Sequence, residues 1–329
     1  MSDTGFEWCA PAPDKEEAGL SMSILVLRKV APELIEALER LAPVHVRPEL
    51  RDPAEADPAL LQGVQAVVTG AVVGLSEAMM AACPALRLVH FIGAGHEGID
   101  LEAARRHGLR VSTGRGGNAD SVADHAVALL LAVLRKLPEL DAEVRRGVWI
   151  QQRSIPQLTG ARVGLIGMGE IGTRIARRLA GFDVKISHVA RSPKPDLPWP
   201  QVGDAVTLAH GVDHLVVACP LTPATRHMVD AAVLAALGPQ GVLVNIGRGG
   251  VVDTDALIEA LAEGRIAGAG LDVVEGEPDV PEALLRLPWV LITPHIAAMS
   301  PQAAAGMVQL AIANVRAALE GWEPVSPVL

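Results

Sequence analysis

The sequence predicts an α/β protein with two doubly wound parallel-sheet domains. At 329 residues the chain is long enough to form two ordinary domains, each with its own core. Short apolar runs alternate with amphipathic helical patterns, which is typical of βαβ units in a parallel sheet. A glycine-rich turn starts a second series of such units near the middle of the chain. The first third is therefore expected to form a separate domain.

Composition argues against several other classes of protein. Apolar residues make up 50% of the chain and charged residues 20%, which indicates a globular protein. The net charge of −10 argues against a nucleic acid or an anionic membrane surface as the main partner. Cys9, Cys83 and Cys219 are far apart, so neither a disulfide framework nor a metal site is expected, and a reducing cytoplasm fits. We find neither a membrane span nor a signal peptide in the pattern.

The elements of the first domain follow a proline-rich and acidic segment, residues 1–22, which is predicted to be a flexible tail. Strands are predicted at 23–29, 64–70 and 86–93, with helices at 31–42 and 75–84.

The longest helical pattern covers residues 118–137, with Asn118 or Asp120 as its N-cap and Pro138 as its stop. It is apolar over much of its circumference, which predicts burial at a domain junction or a subunit interface. His125 on this helix is expected to pack between domains.

The second series begins at residue 161 and contains six strand candidates. The later strands are predicted at 184–190, 213–220, 241–247, 266–274 and 288–295, and a final helix is predicted at 301–321. The boundaries that we expect are one domain of residues 23–113 plus 297–329, and a second domain of residues 114–296 inserted between those pieces.

The glycine-rich turn carries Gly167, Gly169 and Gly172 in GxGxxG spacing, after an apolar strand and at the start of a helix. Gly167 permits the tight turn, Gly169 allows backbone to approach a pyrophosphate, and Gly172 allows close helix–strand packing. The alternative is a glycine-rich turn without a ligand. The five strand units that follow favour a dinucleotide-binding Rossmann domain.

Polar residues follow three of the later strands. Arg248 comes after an apolar run and between glycines, Asp272 and Glu277 follow the next strand, and His295 follows the last strand. Because ligands bind at the carboxyl ends of parallel strands, we expect these side chains to converge. Three of them also have a structural alternative: Arg248 as a surface arginine, Glu277 as a turn residue and His295 as a histidine with structural hydrogen bonds.

The chain resembles the D-2-hydroxyacid dehydrogenases, from about residue 64 to the last helix. The motifs that carry the resemblance are "GMGEIG", "NIGRGGVVD", "GLDVVEGEP" and "TPHIA", in that family's order, together with "VADHAVALLLAVLRKL" and "RRGVW". The resemblance implies that Arg248, Glu277 and His295 are catalytic, and that Asp272 binds the nicotinamide carboxamide. It also implies a flavodoxin-like substrate-binding domain around the inserted coenzyme domain, and a homodimer through the long helix and its neighbours.

The chemistry of such a reaction suits these residue types. Reduction of a 2-oxo acid needs a hydride at the carbonyl carbon and a proton at its oxygen. His295 as an imidazolium donates that proton near neutral pH, and Glu277 beside it favours the charged form and fixes its orientation. Arg248 presents donors that hold the substrate carboxylate and polarise the carbonyl.

The remaining contacts come from the resemblance. The cofactor would also touch Met168, Glu170, Ile171, Cys219, Pro220, Thr225, Ile246, Gly247, Ala297 and Ala298. The substrate carboxylate would be held by two loops, "TGAVVG" and "GAGHEG", at Val72, Val73, Gly74, Gly95 and His96, together with Arg248.

The stretch "HVARSPK" bears on the choice of coenzyme. Ala190 lies 18 positions beyond Gly172, where a carboxylate would select the ribose of NAD. Arg191, Ser192 and Lys194 instead offer charge and donors for a 2′-phosphate. This favours NADP(H), as in the glyoxylate and hydroxypyruvate reductases of the family. The alternative is that Arg191 stacks on adenine, Lys194 is solvated and NAD(H) is used.

The predicted reaction is therefore the reduction of a small 2-oxo acid, such as glyoxylate or hydroxypyruvate, to the D-2-hydroxy acid. Neither substrate loop carries an Arg or Lys for a phosphate, which weighs against 3-phosphoglycerate, although Arg115 lies within reach of the site. One alternative is an NAD-dependent dehydrogenase acting on another acid. A less favoured alternative is a non-catalytic dinucleotide-sensing protein.

Overall fold

The structure, a computed structural model, describes residues 22–96 and 98–328. The predicted tail, apart from Met22, lies outside these residues, as does Cys9. The chain divides into two compact units. One contains the described residues up to Gly117 and those from Ala305 onward, and the other runs from Asn118 to Ala304.

The first unit is built on a parallel sheet of five strands in the order β2-β1-β3-β4-β5. The strands are β1 (Ser23–Val26), β2 (Val44–Val46), β3 (Val64–Thr69), β4 (Leu88–Phe91) and β5 (Arg110–Thr113). The helices between them are α1 (Pro32–Glu39), α2 (Pro58–Gln62), α3 (Glu77–Ala82) and α4 (Leu101–Arg106). Separate apolar clusters cover the two faces of the sheet, as in a doubly wound fold.

The second unit contains a parallel sheet of six strands in the order β11-β10-β9-β8-β6-β7. Its strands are β6 (Arg162–Ile166), β7 (Lys185–Val189), β8 (His214–Val217), β9 (Val242–Asn245), β10 (Gly268–Leu271) and β11 (Val290–Ile292). Its helices are α5 (Ala119–Leu134), α6 (Leu137–Arg145), α7 (Glu170–Ala180), α8 (Ala205–His210), α9 (Ala231–Leu237), α10 (Thr254–Ala262) and α11 (Glu282–Leu285). Apolar clusters again lie on both faces. The predicted α/β class with two parallel sheets is confirmed.

The last helix is α12 (Pro301–Leu319). Its residues up to Ala304 belong to the second unit, and those from Ala305 onward belong to the first. From Val308 onward its apolar side chains pack on the first sheet. The buried Asn314 holds the C-terminal segment, because its amide donates to Ser326 Oγ at 2.8 Å and accepts from the Ser326 N–H at 3.1 Å. This segment then runs antiparallel to β5.

Two details differ from the sequence prediction. The strands β2 and β5 had not been expected. The long helix ends at Leu134, and Pro138 lies in the first turn of α6 and does not stop α5. A proline is tolerated there because the first N–H groups of a helix have no partner inside the helix. Lys136, with φ 52°, makes the break between the helices.

None of the helices within the described ranges is long and apolar enough to cross a membrane.

Candidate active site

The glycine-rich turn lies between β6 and α7, at the point where the second sheet reverses its strand order. The chain passes from β6 to β7 on one side and then crosses to β8 on the other. Ligands bind outside the carboxyl ends of the strands at such a switch point.

Two glycines of this turn are required by space and by backbone angle. Gly167 has φ 102°, and a Cβ there would lie 2.8 Å from the backbone of Ala218. A Cβ at Gly172 would lie 2.1 Å from the Gly167 carbonyl oxygen. The turn therefore packs closely against its own helix and against the end of β8.

The first turn of α7 offers free backbone donors. Gly169 is the N-cap and supplies no side-chain cap, so the leading N–H groups of this 11-residue helix lack an internal partner. Glu170 lies in this turn, but its carboxylate pairs with Arg174, which also contacts Asp120. Part of the negative charge that would repel an anion is thereby neutralised.

Several of the predicted cofactor residues can contact a cofactor only through their backbone atoms. The side chains of Met168 and Ile246 are buried in the apolar core of the second unit. Cys219 is buried as well, and burial raises the pKa of its thiol to about 11. Thr225 closes the loop after β8, because its hydroxyl donates to the Pro220 carbonyl at 2.7 Å.

The loop after β7 presents basic side chains. Arg191 and Ser192 are exposed, Lys194 is partly exposed, and neither basic group has an ion pair within the described chain. Gln201 holds the start of the loop by donating to the Ala190 carbonyl at 3.0 Å.

Arg248 lies on a turn that Asn245 shapes. The Asn245 side chain accepts from the Gly247 N–H at 3.0 Å and donates to the Arg248 carbonyl at 3.1 Å. A Cβ at Gly249 would lie 2.1 Å from the Val274 carbonyl carbon, so only glycine allows this contact. The turn that carries Arg248 therefore packs directly on the segment that leads to Glu277.

Glu277 and His295 form a direct pair. Glu277 Oε1 lies 2.5 Å from His295 Nδ1, and Oε2 accepts from the Val274 N–H at 3.1 Å. Because a carboxylate can only accept, Nδ1 carries the hydrogen, and Nε2 is left to exchange a proton with another molecule. Both side chains are partly exposed, so that exchange is open to a ligand.

His295 has a left-handed backbone, with φ 54°. Its N–H donates to the carbonyl oxygens of Asp272 and Thr293, at 2.9 Å each. A histidine in this region is uncommon and needs restraint from its surroundings.

The Asp272 carboxylate supplies that restraint. It is 2% exposed and accepts from Thr293 Oγ1 at 2.6 Å, the Ile296 N–H at 2.9 Å and the Ala297 N–H at 3.0 Å. A carboxylate has about four acceptor positions, so roughly one is left for a ligand. We had predicted a nicotinamide contact for Asp272. In the structure, most of the acceptor positions of Asp272 are used by hydrogen bonds to the loop that carries His295.

His125 lies behind this loop. Its Nε2 is 2.9 Å from Thr293 Oγ1 and 3.5 Å from Asp272 Oδ1. Thr293 donates to Asp272, so it accepts from His125. The expectation that His125 packs between domains did not anticipate this chain of hydrogen bonds inside the second unit.

The predicted substrate loops belong to the first unit. A bond from the Gly74 N–H to the Gly70 carbonyl, 2.8 Å long, closes one loop around Val72 and Val73. Gly74 rests on Gly98 of the other loop, since a Cβ at Gly74 would lie 1.9 Å from the Gly98 carbonyl oxygen.

Two further residues of this unit, His96 and Arg115, bear on the predicted substrate site. Nδ1 of His96 is buried and finds no partner in the part of the chain that the structure describes. Arg115 is exposed after β5.

Comparisons with known proteins agree with this geometry. The model of the family "D-isomer specific 2-hydroxyacid dehydrogenase, NAD binding domain" matches residues 127–297. A hydroxyphenylpyruvate reductase of Plectranthus scutellarioides is 42% identical over 84% of this chain and 90% of its own. A glyoxylate/hydroxypyruvate reductase of Arabidopsis thaliana is 41% identical over 81% of this chain and 86% of its own.

A solved structure is similar as well. The NADPH-dependent glyoxylate/hydroxypyruvate reductase of Sinorhizobium meliloti, in complex with NADP and malonate, is 39% identical, with a TM-score of 0.83. The likeness covers 94% of this chain and 97% of that one.

Burial of the cysteines gives a test of how tightly the end of α3, at Cys83, and the end of β8, at Cys219, are packed. The pKa of Cys83 and that of Cys219 are raised from 9.0 to about 11 by burial. At pH 8 the folded protein should then hold about a hundredfold less thiolate at these positions than the unfolded chain. A folded Cys9→Ser variant should react with a thiol-specific disulfide reagent at least that much more slowly than the same variant in guanidinium. Equal rates would mean that Cys83 and Cys219 are open to solvent.

Proposed function

Since the chain belongs to the D-isomer-specific 2-hydroxyacid dehydrogenase family, we propose that it reduces a small 2-oxo acid to the D-2-hydroxy acid. The protein is an oxidoreductase with an NAD(P)-binding domain. The observation that carries the proposal is the Glu277–His295 pair, held at a strand end beside the turn of Arg248.

The residues at the glycine-rich turn suit a dinucleotide. Gly167 and Gly172 let the turn pack closely on Ala218 and on its own helix, and the start of α7 offers unpaired N–H groups to a pyrophosphate. When bound, the reduced nicotinamide would supply the hydride to the carbonyl carbon of the substrate. Further contacts would come from the backbone of Met168, Ile246 and Gly247, from Cys219, Pro220 and Thr225, from Glu170, Ile171, Ala297 and Ala298, and from the last acceptor position of Asp272.

His295 would donate the proton to the carbonyl oxygen. Glu277 fixes the imidazole through Nδ1, which directs the acidic Nε2–H to the substrate. This is the role that a histidine and carboxylate pair can perform without a metal.

Arg248 would bind the substrate carboxylate and polarise the carbonyl, because a guanidinium presents a planar fork of donors. The first unit would contribute the loop of Val72, Val73 and Gly74 and the loop of Gly95 and His96. Neither the Val72 nor the Val73 N–H bonds to backbone elsewhere in the described chain, so both can donate to a carboxylate.

We propose NADPH as the preferred coenzyme. Arg191, Ser192 and Lys194 follow the strand that is expected to approach the adenosine ribose, and Ala190 supplies no carboxylate there. A similar enzyme of Sinorhizobium meliloti is described as NADPH-dependent. Glyoxylate and hydroxypyruvate are the first substrates to test. A bulkier acid such as hydroxyphenylpyruvate is the second, given the relative of Plectranthus scutellarioides.

A homodimer in the cytoplasm is the form that we propose. The helix α6 and the residues after it expose the apolar side chains of Leu137, Val144, Trp149 and Ile150, each 48% to 74% accessible. Leu137 and Val144 are seven residues apart and so share one helix face. A second copy of the chain would cover this surface.

Removal of the proposed acid should separate chemistry from coenzyme binding. His295→Ala should lower kcat by about a hundredfold to ten-thousandfold, while the Kd for NADPH, measured by calorimetry, changes little. His210→Ala, at an exposed histidine on α8, is the control and should keep its turnover. Turnover by His295→Ala close to that of the control would remove His295 from the proposed role.

The basic loop can be tested by its effect on the two coenzymes. Arg191→Ala with Lys194→Ala should raise the KM for NADPH by about tenfold or more and leave the KM for NADH nearly unchanged, because charged hydrogen bonds to the 2′-phosphate are lost. Lys185→Ala, exposed at the other end of β7, controls for charge alone. An equal rise for both coenzymes would show that this loop does not bind the 2′-phosphate.

A further inference from the structure

The first sheet has a switch point of its own, between β1 and β3. From β1 the chain passes to β2 on one side, and then crosses to β3 on the other. The crevice outside the carboxyl ends of these two strands is where a ligand is expected in a sheet of this strand order. Arg28 lies two residues after β1, and Gly70 directly follows β3.

The Arg28 side chain lies against Gly70. A Cβ at position 70 would be 2.5 Å from Arg28 Nη1, and 3.3 Å from both Cδ and Cζ. The Arg28 side chain would have to shift to admit a Cβ at position 70, so the glycine leaves the guanidinium its present place beside the switch point. Neither residue is among the site residues that the sequence predicts.

Most of the N–H donors of the Arg28 guanidinium are available to a ligand. Arg28 is partly buried, and its hydrogen bond from Nε to the Lys29 carbonyl is 3.4 Å long. Within residues 22–96 and 98–328 it has no ion pair, whereas Arg106 of the same unit pairs with Glu77. A partly buried guanidinium with five N–H groups and no carboxylate is suited to an anionic ligand.

The neighbouring loop also offers hydrogen-bond donors. The bond between the Gly74 N–H and the Gly70 carbonyl closes the loop around Val72 and Val73. The N–H groups of Val72 and Val73 have no backbone partner in the described chain, so they can donate to a carboxylate. Arg28 therefore adds a charged donor beside a loop with free N–H groups.

We propose that Arg28 is a specificity-determining residue that binds a second acidic group of the substrate. The favoured substrate class is then 2-oxo acids with a second carboxylate close to the oxo group. This inference rests on the proposed function. It assigns the first carboxylate to the loop N–H groups, and leaves Arg28, in the same unit, for the second.

The experiment compares oxaloacetate with pyruvate, which lacks the second carboxylate, and uses glyoxylate as a reference. Initial rates with NADPH give kcat/KM for wild type, Arg28→Met, Arg28→Lys and Gly70→Ala. Lys29→Met, at the exposed neighbour, controls for the loss of one positive charge. Freshly prepared oxaloacetate and detection of D-malate exclude turnover of pyruvate formed by decarboxylation.

We expect wild type to prefer oxaloacetate to pyruvate. Arg28→Met should lower the ratio of the two kcat/KM values by about ten- to a hundredfold, the range for a hydrogen-bonded charge pair. Arg28→Lys should retain part of the preference. Gly70→Ala should lower the ratio as well, because the new Cβ displaces the guanidinium. Lys29→Met should leave it within about twofold.

An unchanged ratio in Arg28→Met, or an equal loss on both substrates, would overturn the inference, as would a wild type that uses glyoxylate but prefers pyruvate to oxaloacetate. A wild type that reduces none of the three acids contradicts the proposed function. In that case calorimetry with malonate still decides the inference, since equal affinity for wild type and Arg28→Met would overturn it.

Discussion

The buried carboxylate of Asp272 is the group on which the arrangement of the candidate site depends. A carboxylate out of water is costly unless it is hydrogen-bonded, and Asp272 accepts from a hydroxyl and two backbone N–H groups. Those bonds fix the loop in which His295 adopts a positive φ and meets Glu277. His125, on α5, hydrogen-bonds to Thr293, which in turn donates to the Asp272 carboxylate. His295, the proposed proton donor, is thus held by hydrogen bonds to Asp272, which follows a different strand.

The second constraint is the need for glycine, which has no side chain, at several positions around the site. Gly167, Gly172 and Gly249 bring backbone segments together at distances that a Cβ would prevent. The glycine turn meets the end of β8, and the turn of Arg248 meets the segment before Glu277. At Gly70 of the first unit, by contrast, a Cβ would meet the Arg28 side chain and not backbone. Site residues that are distant in sequence are therefore positioned by direct backbone contact at the carboxyl edges of the sheets.

Much of the fold and of the second unit's site could be predicted, because apolar runs followed by glycines and polar residues leave a strong pattern. The strands β2 and β5 were missed because polar residues interrupt them: β2 is Val-His-Val and β5 is Arg-Val-Ser-Thr, so neither forms an apolar run. The Arg28–Gly70 contact and the His125–Thr293–Asp272 chain were missed for another reason. They join residues that are far apart in sequence, and no local spacing encodes such a meeting.

The measurement that tests the central claim most directly is the initial rate of glyoxylate reduction by the purified protein with NADPH and with NADH. We expect oxidation of the coenzyme that depends on glyoxylate, with kcat/KM for NADPH at least about tenfold higher, which corresponds to about 1.4 kcal/mol. Equal use of NADH would contradict the proposed 2′-phosphate site. No oxidation of either coenzyme, with glyoxylate or with hydroxypyruvate, would contradict the account of this protein as a reductase of small 2-oxo acids.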